Sequence, residues 1–547
     1  MKGKAFVTSV YLLAAATLAG ADPDTVIEMG SRRELFVDDL LVQELAGARL
    51  RLHQPVPREV SFIFDKPWEG NESYYITVLE DDQATGAGRY RMYYRGRNVL
   101  YDQKGYHLTH PEVVCYAESA DGISWRRREL RLYEFEGNKR NNILWKGVGV
   151  HNFSPFIDGH PNCPPSQRYK AVGHGSGGLY AFQSADGIHW SKMQDDPVIT
   201  KGAFDSHNVV FWDAMRGQYR EYHRDFRNGR DIRTSASGDF LKWGESTFLD
   251  YAPPVQTSED SPQDGTEPHP AGRVSQLYTN NVTPYYRAPH IFLGFPTRYI
   301  DRGWNPTTRT LPNPKFRELR GAVSKREGSA LTDGMLMSSR DGSTFRVWPE
   351  SFIRPGLRQK DNWFYGDNYQ NWGLVETRGA YADSPRELSI YVTESALQGT
   401  SVTIRRHTIR IDGFVSVEAP LAGGYCTTKP LRFSGSRLSL NFSTSAVGTV
   451  RAELQRPDGT PIPGYTLQEC TLLYVDKLAG VIQWRGGADI SGLAGQPIRV
   501  RFELRDADLY AVQFTESLNA RPNEVMRTLP GGRTAGNPRI GGSWPTQ

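Results

Sequence analysis

The stretch Ser119-Ala-Asp121-Gly-Ile-Ser-Trp125, or SADGISW, decides the fold because it recurs along the chain. It returns as SADGIHW at 184–190, SGDFLKW at 237–243 and SRDGSTF at 339–345. In each copy the Ser and Asp side chains can accept hydrogen bonds from backbone N–H groups of a tight turn, and the aromatic residue can pack between neighbouring sheets. The repeat therefore predicts a structural turn that recurs in a series of similar β-sheets.

Each copy of the repeat follows a segment with strand character, and these segments are 73–80, 152–158, 207–213 and 277–286. Residues 299–330, rich in Pro, Arg, Thr and Gly, are interpreted as an insertion in the fourth unit. A fifth unit begins at YGDNYQNWG, residues 365–373, and lacks the repeat. We expect the early strand around Glu34–Val42 to complete its sheet and close a ring. The pattern predicts an all-β protein with a five-bladed β-propeller over 22–413.

The two ends of the chain have different textures. Residues 1–21 have the charged, apolar and small-residue regions of a signal peptide, so the mature chain is expected to begin at Asp22. Residues 414–517 alternate apolar and polar positions between Gly, Pro and Asp turns, which predicts a C-terminal antiparallel β-sandwich. Residues 518–547 are expected to form a flexible tail. No later apolar run is long enough to span a membrane, and the protein is expected to be secreted or periplasmic.

Composition limits the partners. The formal net charge of +4 is too small for its length to indicate nucleic-acid binding. Four cysteines allow three full pairings, among which Cys426–Cys470 is the favoured pair, and four unpaired buried thiols are an equal alternative. No His/Cys spacing matches a zinc site, so no cofactor is expected, although a structural calcium ion in the channel is left open. The oligomeric state is also left open.

The chemistry is expected where the innermost strands of a propeller begin, because side chains at those positions converge on one channel. Glycoside cleavage needs one protonated and one ionised carboxyl group. We take Glu72, Asp205 and Asp367 as the catalytic set, with Glu72 as the acid and Asp205 or Asp367 as the ionised partner. The candidate substrate-binding residues are Asn152, His207, Asn208, Asn280, Asn281, Trp363, Tyr365, Asn368 and Trp372.

Each of these residues also has a structural interpretation. A single Asp beside Gly or Asn is more often a turn residue than a catalyst. Trp363 and Trp372 fit packing between blades as well as they fit sugar stacking. The basic run YHRDFRNGR at 222–230 is compatible with binding sulfate or phosphate, but we favour a solvated edge strand there.

The repeat, the five units, the signal peptide and the trailing β-region together resemble the five-bladed propeller glycosidases of families 32 and 43, the invertase-like and arabinanase-like enzymes. Segments such as FSPFIDGHPNCPP, YGDNYQNWGLVE and ELSIYVTE resemble secreted family 32-like proteins of environmental bacteria. The resemblance covers about residues 34–517 and implies a propeller with a glycosidase-like pocket. It does not extend to the catalytic motifs of these enzymes, since EGNE (69–72), NFSP (152–155) and DSHN (205–208) stand in their places.

The sequence is therefore best interpreted as a secreted glycoside hydrolase that acts on a poly- or oligosaccharide. One alternative is a non-catalytic propeller that binds carbohydrate through the same lining. Another is a glycoside phosphorylase, in which Arg287, His290 and Arg298 would bind inorganic phosphate.

Overall fold

The protein is described here from a computed structural model that covers residues 26–252 and 276–516. The predicted signal peptide and the predicted tail at 518–547 lie outside the described residues. The described chain is mostly β, with three short α-helices. Within the described residues, no helix has the length and apolar character needed to cross a membrane.

The first strands pair with distant parts of the chain. Val56–Ile63 pairs antiparallel with Thr403–Ile409 and so completes the sheet of the fifth unit. The expectation that Glu34–Val42 does this is wrong, because Arg33–Leu35 and Val42–Ala46 pair with C-terminal strands. Pro57 and the charged residues of the true closing strand hid its strand character, although Pro is tolerated on an edge strand. These strands are β1 (Ile27–Gly30), β2 (Arg33–Leu35), β3 (Val42–Ala46), β4 (Arg49–Leu52) and β5 (Val56–Ile63).

The next three units each form an antiparallel sheet in chain order. The first contains β6 (Thr77–Glu80), β7 (Tyr90–Gly96), β10 (Val113–Ser119), β11 (Arg126–Arg127) and β12 (Ile143–Trp145), with a side hairpin of β8 (Val99–Asp102) and β9 (Gly105–Leu108). The second contains β13 (His151–Ile157), β14 (Tyr169–Gly175), β15 (Gly178–Ser184) and β16 (Ser191–Lys192). The third contains β17 (Val209–Asp213), β18 (Gln218–Phe226), β19 (Arg230–Ser237) and β20 (Thr247–Phe248).

The fourth unit carries the predicted insertion, but the insertion contains helices that the sequence analysis missed. Its main sheet is β21 (Asp250–Ala252), β23 (Thr283–Tyr285), β24 (Ala288–Gly294), β27 (Met337–Ser339) and β28 (Thr344–Val347). A smaller sheet is β22 (Gln276–Leu277), β25 (Thr297–Asp301) and β26 (Ala330–Gly334). Between β25 and β26 lie α1 (Pro306–Arg309), α2 (Pro314–Val323) and α3 (Lys325–Ser329). Pro at the first position of α1 and α2 fits a helix start, where no N–H partner is needed.

The fifth sheet and the C-terminal strands complete the fold. The fifth sheet joins β29 (Val375–Thr377), β30 (Glu387–Glu394) and β31 (Thr403–Ile409) to β5. The C-terminal strands are β32 (Val415–Ala419), β33 (Gly424–Thr428), β34 (Leu431–Phe433), β35 (Arg437–Gln455), β36 (Lys477–Val481) and β37 (Pro497–Thr515). They join β1–β4 in one ten-stranded network. The cysteines, all within the described residues, are free, so the favoured Cys426–Cys470 disulfide is wrong.

The repeat turns have the predicted structural role. In the second copy, Ser184 Oγ accepts from the Gly187 amide at 2.9 Å, and Asp186 Oδ1 accepts from the Ile188 amide at 2.8 Å. In three copies the glycine carbonyl of the turn accepts a hydrogen bond from a tyrosine hydroxyl of the neighbouring sheet. The pairs are Tyr391 with Gly122, Tyr93 with Gly187 and Tyr222 with Gly342. The turns therefore connect adjacent sheets.

The starts of the inner strands meet each other. Thr77 forms a parallel bridge with Trp372, which joins the first sheet to the fifth. His207 Nε2 lies 3.3 Å from the hydroxyls of both Thr77 and Ser154, which brings in the second and third sheets. The Trp372 indole donates to the Val282 carbonyl at 2.9 Å, which connects the fifth sheet to the fourth. Residues far apart in sequence are thus brought to one region.

Candidate functional site

Five tyrosines from three of the sheets pack into one cluster beside these strand starts. We call Tyr74, Tyr75, Tyr278, Tyr365 and Tyr369 the tyrosine cluster. The Tyr369 ring centre lies 5.6 Å from Tyr74, 5.8 Å from Tyr75 and 5.6 Å from Tyr278. The Tyr365 hydroxyl donates to the Tyr278 hydroxyl at 2.8 Å. All five side chains are largely buried, so the cluster supplies rigid aromatic faces and hydroxyl groups in one place.

Tyr75 has a costly backbone conformation. Its φ of 56° lies in the left-handed region, which is an outlier for a bulky residue. Such strain typically costs about 1–3 kcal/mol and clusters at functional sites. The conformation brings the ring of Tyr75 to 4.8 Å from that of Tyr74, so the strain contributes to building the tyrosine cluster.

Glu72 borders the tyrosine cluster and is the predicted carboxylate with the most contacts there. It accepts a hydrogen bond from the Tyr74 hydroxyl at 2.8 Å. It also forms ion pairs with Arg95 at 3.1 Å and Arg97 at 2.6 Å. The Arg95 guanidinium carbon lies 4.4 Å from the centre of the Tyr74 ring. Glu72 is therefore held between two arginines at the border of the cluster, and the division of roles among the carboxyl groups stays a prediction.

Glu112 is a second carboxylate at this place, and the sequence analysis missed it. Its oxygens lie 4.0 Å from Arg95 and 3.6 Å from Arg97, and His151 Nδ1 is 2.9 Å away. Burial raises the pKa of Glu112, but the hydrogen bond from His151 and the charges of the two arginines outweigh it, and the pKa is lowered. Glu112 directly precedes a third strand of its sheet, whereas the prediction considered only the starts of inner strands.

Asp205 lies at the exposed edge of the site. Its side chain is 59% exposed and pairs with Arg224. The Arg224 guanidinium carbon lies 4.9 Å from the centre of the Tyr278 ring. Asp205 is therefore connected through one arginine to the tyrosine cluster, which Glu72 borders at Tyr74.

Asp367, the third predicted carboxyl group, is buried. Its side chain is 2% exposed, and its oxygens accept the amides of Ala396 at 2.8 Å and Phe364 at 3.2 Å. Burial raises the pKa of Asp367 to about 7, although the two amides and the charge of Arg320 act in the opposite direction. The contacts fix the turn that carries Tyr365 and Tyr369.

The predicted amides mainly bind backbone carbonyls. Their side-chain nitrogens donate to backbone carbonyls: Asn152 and Asn208 to Ser206, Asn280 to His207, Asn281 to Gln370, and Asn368 to Thr332. Asn152, Asn281 and Asn368 also have positive φ, which Asn tolerates better than most residues. Only Asn152 contacts the charged groups, since its oxygen accepts from Arg95 Nη1 at 3.1 Å. Their role as substrate ligands stays a prediction.

His207 and the two tryptophans are also held by the fold. Burial lowers the pKa of His207 to about 3, so the imidazole is neutral. Trp372 is buried in the core, while the Trp363 indole donates to the Gly356 carbonyl at 3.1 Å on a surface loop. Trp372 therefore packs in the core, whereas the role of Trp363 stays a prediction.

Calcium does not fit the inner strand starts. The donors that meet there are the Thr77 and Ser154 hydroxyls, the His207 imidazole and strand amides. Calcium favours six to eight oxygen ligands, normally including carboxylates. Among the described residues, no three His, Cys, Asp or Glu side chains form a group that could hold a metal ion.

Two expectations about arginines are corrected. Arg224 and His223 are buried, so the 222–230 run is not a solvated edge strand. The phosphate site suggested at Arg287, His290 and Arg298 does not form, because these residues pair with Asp412, Glu34 and Asp333 respectively. Ion pairs within the fold account for that basic group.

No protein-family model matches the chain, and no curated protein matches its sequence. Solved structures are similar to it. An N-acetylgalactosamine deacetylase from F. plautii is 10% identical over 66% of this chain and 96% of that chain, with a TM-score of 0.38. A β-1,2-mannobiose phosphorylase from Listeria innocua is 13% identical over 66% and 97%, with a TM-score of 0.35. A GH32 β-fructofuranosidase from Bombyx mori is 10% identical over 85% and 94%, with a TM-score of 0.30.

Proposed function

We propose that the five sheets form a five-bladed propeller and that the protein is a secreted glycoside hydrolase of a poly- or oligosaccharide. The observation that carries the proposal is the tyrosine cluster with Glu72 and Asp205 at its borders, each held by arginine. Aromatic faces suit the apolar faces of sugar rings, and the hydroxyls and guanidinium groups suit sugar hydroxyls.

The proposed mechanism assigns different roles to the carboxyl groups. Glu72, ion-paired with Arg95 and Arg97, is the ionised carboxylate that acts on the anomeric carbon or on a water molecule. Asp205, which is 59% exposed and pairs with one arginine where Glu72 pairs with two, exchanges a proton with the leaving oxygen. Asp367 positions the turn that carries Tyr365 and Tyr369. Glu112 is the second carboxylate that holds Arg95 and Arg97.

The test is hydrolysis by the mature protein over a broad panel of poly- and oligosaccharides, measured by reducing-end release and chromatography. Glu72→Gln and Asp205→Asn are expected to lower kcat at least about 100-fold while the protein stays folded. Asp195→Asn is the matched control, since Asp195 is exposed and pairs with Lys192 alone among the described ion pairs. Unchanged turnover in both folded variants would contradict the assigned roles.

A second candidate function is glycan binding without hydrolysis. It is favoured by the ion pairs of Glu72 and Asp205, because carboxylates neutralised by arginine can accept sugar hydroxyls without transferring protons. Saturable binding by calorimetry, with no product on the whole panel, would replace the hydrolase proposal with this one.

A further inference from the structure

A second basic group lies against the tyrosine cluster. Arg224 comes from β18 and Arg230 from β19, whereas Arg320 and Arg326 come from helices α2 and α3 of the insertion. The guanidinium carbons of Arg224 and Arg230 lie 4.9 and 5.1 Å from the centre of the Tyr278 ring. Those of Arg320 and Arg326 lie 6.0 and 5.0 Å from the centre of the Tyr365 ring. Two separate parts of the chain therefore bring positive charge to the hydrogen-bonded pair Tyr278 and Tyr365.

Several donors of this group have no acceptor within the described part of the chain. Arg320 is fully buried, and its Nε and Nη1 atoms make no hydrogen bond. The same holds for the buried Nε of Arg224 and Nη1 of Arg326. Glu327 lies 3.6 Å from Arg320 Nε, but it already accepts the Tyr101 hydroxyl at 2.9 Å. Buried charged donors without acceptors are costly, so this arrangement favours an acceptor supplied from outside.

The neighbouring groups respond to this excess of positive charge. Burial alone raises the pKa of the Tyr278 hydroxyl, yet the charges of Arg224, Arg230 and Arg326 and the hydrogen bond from Tyr365 bring it below its ordinary value. Burial and the charge of Arg320 also lower the pKa of Arg317, one turn earlier on α2, to about 10. A protein environment that stabilises a phenolate also stabilises other anions.

We propose that Arg224, Arg320 and Arg326 bind an anionic substituent, a carboxylate or a sulfate, on the glycan that occupies the tyrosine cluster. The inference rests on the proposed function, because it assumes that this cluster takes a carbohydrate. Guanidinium groups suit both anions since their N–H groups can form paired, charge-assisted hydrogen bonds. A neutral sugar would bring no negative charge to the buried donor atoms of Arg224, Arg320 and Arg326 that make no hydrogen bond within the described residues. The protein is thus specific for acidic glycans.

The test is direct binding by calorimetry, which does not depend on turnover. The probes are an oligogalacturonate, its carboxyl-reduced neutral counterpart, and a sulfated galactan oligosaccharide. We expect at least one acidic probe to bind about tenfold or more tightly than the neutral probe, with affinity that falls as salt is added. Equal affinity for acidic and neutral probes would overturn the inference.

Variants locate the contact. Arg326→Gln and Arg224→Gln are expected to reduce the preference for the acidic probe about tenfold, because each weakens binding of the acidic probe more than binding of the neutral probe. Arg326→Lys, which keeps the charge, is expected to retain part of the preference. Arg128→Gln is the control, since Arg128 is exposed and lies 3.9 Å from Glu118 on the surface. Acidic binding unchanged in both folded glutamine variants would overturn the inference.

The remaining outcomes separate the inference from the proposed function. Acidic binding that is lost in Arg326→Gln, without any hydrolysis, supports the inference and removes the hydrolase proposal. Hydrolysis of neutral oligosaccharides without preference for acidic ones supports the hydrolase proposal and overturns the inference. Inorganic phosphate and sulfate are tested alone. Phosphate-dependent release of a sugar phosphate, or inorganic sulfate binding as tightly as the acidic probe, would overturn the inference by assigning the arginines to a free anion.

Discussion

Glu72 and Glu112 approach the same guanidinium group: Arg97 Nε lies 2.6 Å from Glu72, and Arg97 Nη1 lies 3.6 Å from Glu112. Arg95 repeats this sharing at 3.1 and 4.0 Å. Two carboxylates and two arginines therefore form one charge network at the border of the tyrosine cluster. Removing either carboxylate leaves the arginines with the other, so the two glutamates are energetically coupled.

The first prediction concerns this coupling. In a double-mutant cycle, Glu72→Gln and Glu112→Gln are expected to be non-additive in the free energy of unfolding by about 0.5–3 kcal/mol. Urea denaturation of the two single variants and the double variant measures the coupling. The control cycle pairs Glu72→Gln with Glu129→Gln, because Glu129 contacts Arg131 and Arg140 on the surface. Additivity in both cycles would show that the shared arginines do not couple the carboxylates.

The second prediction concerns the hydroxyl pair of Tyr278 and Tyr365. Tyr365→Phe removes the hydrogen bond that helps to stabilise the Tyr278 phenolate. The pKa of Tyr278 is therefore expected to rise, and an alkaline titration followed by the absorbance of tyrosinate measures it. Tyr381→Phe is the control, because Tyr381 is exposed on a loop. A titration that is identical in wild type and Tyr365→Phe would contradict the contact.

The third prediction follows from the buried carboxyl of Asp367. Its pKa of about 7 lies above the ordinary value of 3.8, so between these pH values the folded state binds more protons than the unfolded state. The contribution of Asp367 to stability is therefore fully present below about pH 4 and is lost as the pH rises towards 7. In Asp367→Asn this part of the pH dependence is expected to disappear. The unfolding free energy of wild type is expected to change through it by on the order of a few kcal/mol between pH 4 and 7.

Urea denaturation of wild type and Asp367→Asn at a series of pH values from 4 to 8 measures the difference. Asp195→Asn provides the comparison for a carboxyl that is exposed. If wild type and Asp367→Asn lose stability in parallel across this range, Asp367 is ionised in the folded protein throughout.

The fourth prediction concerns Asp412, which connects the fourth sheet to the C-terminal strands. It is fully buried, and its partners are Arg33 at 3.1 Å, Arg287 at 3.0 Å, Tyr285 at 2.6 Å and Asn441 at 3.0 Å. Asp412→Ala leaves two largely buried arginines without their counter-charge, and we expect it to cost about 3–5 kcal/mol of unfolding free energy.

Chemical denaturation compares Asp412→Ala with Asp476→Ala. Asp476 pairs with Arg410 near the surface and its side chain is 60% exposed, so its loss is expected to cost about 1 kcal/mol or less. A similar small cost for both variants would contradict a structural role for the buried network.

The repeating sheets could be predicted from the sequence because the same turn motif recurs along the chain. The Ser and Asp of each repeat turn bond the turn amides within a few residues, so the signal is independent of the rest of the fold. The closing strand β5 was not accessible in this way, since its pairing with Thr403–Ile409 is set by contacts far apart in sequence. The helices were hidden for a related reason: α2 buries Arg317 and Arg320, and arginines do not give an apolar helical periodicity.

The site itself stays a prediction. Polar residues at the starts of inner strands pointed to the region where Glu72 and the tyrosine cluster lie, but the same signal also arises from backbone geometry. Asn152 and Asn368 occupy left-handed conformations and bind backbone carbonyls, which asparagine does well without any ligand. Glu112 and the insertion arginines gave no such signal, because they reach the site from a third strand and from helices. Their convergence is a property of tertiary structure alone.

The pairing of β5 with β31 sets an order of events during synthesis. Val56–Ile63 leaves the ribosome long before Thr403–Ile409, so its backbone groups have no strand partner until most of the chain has been made. Pairing between segments so distant in sequence is slow because a long loop must close first. While β5 is unpaired, its charged and proline-containing sequence disfavours pairing with strands of other nascent chains. The pairing of β5 with β31 is thus a late step in the folding of this protein.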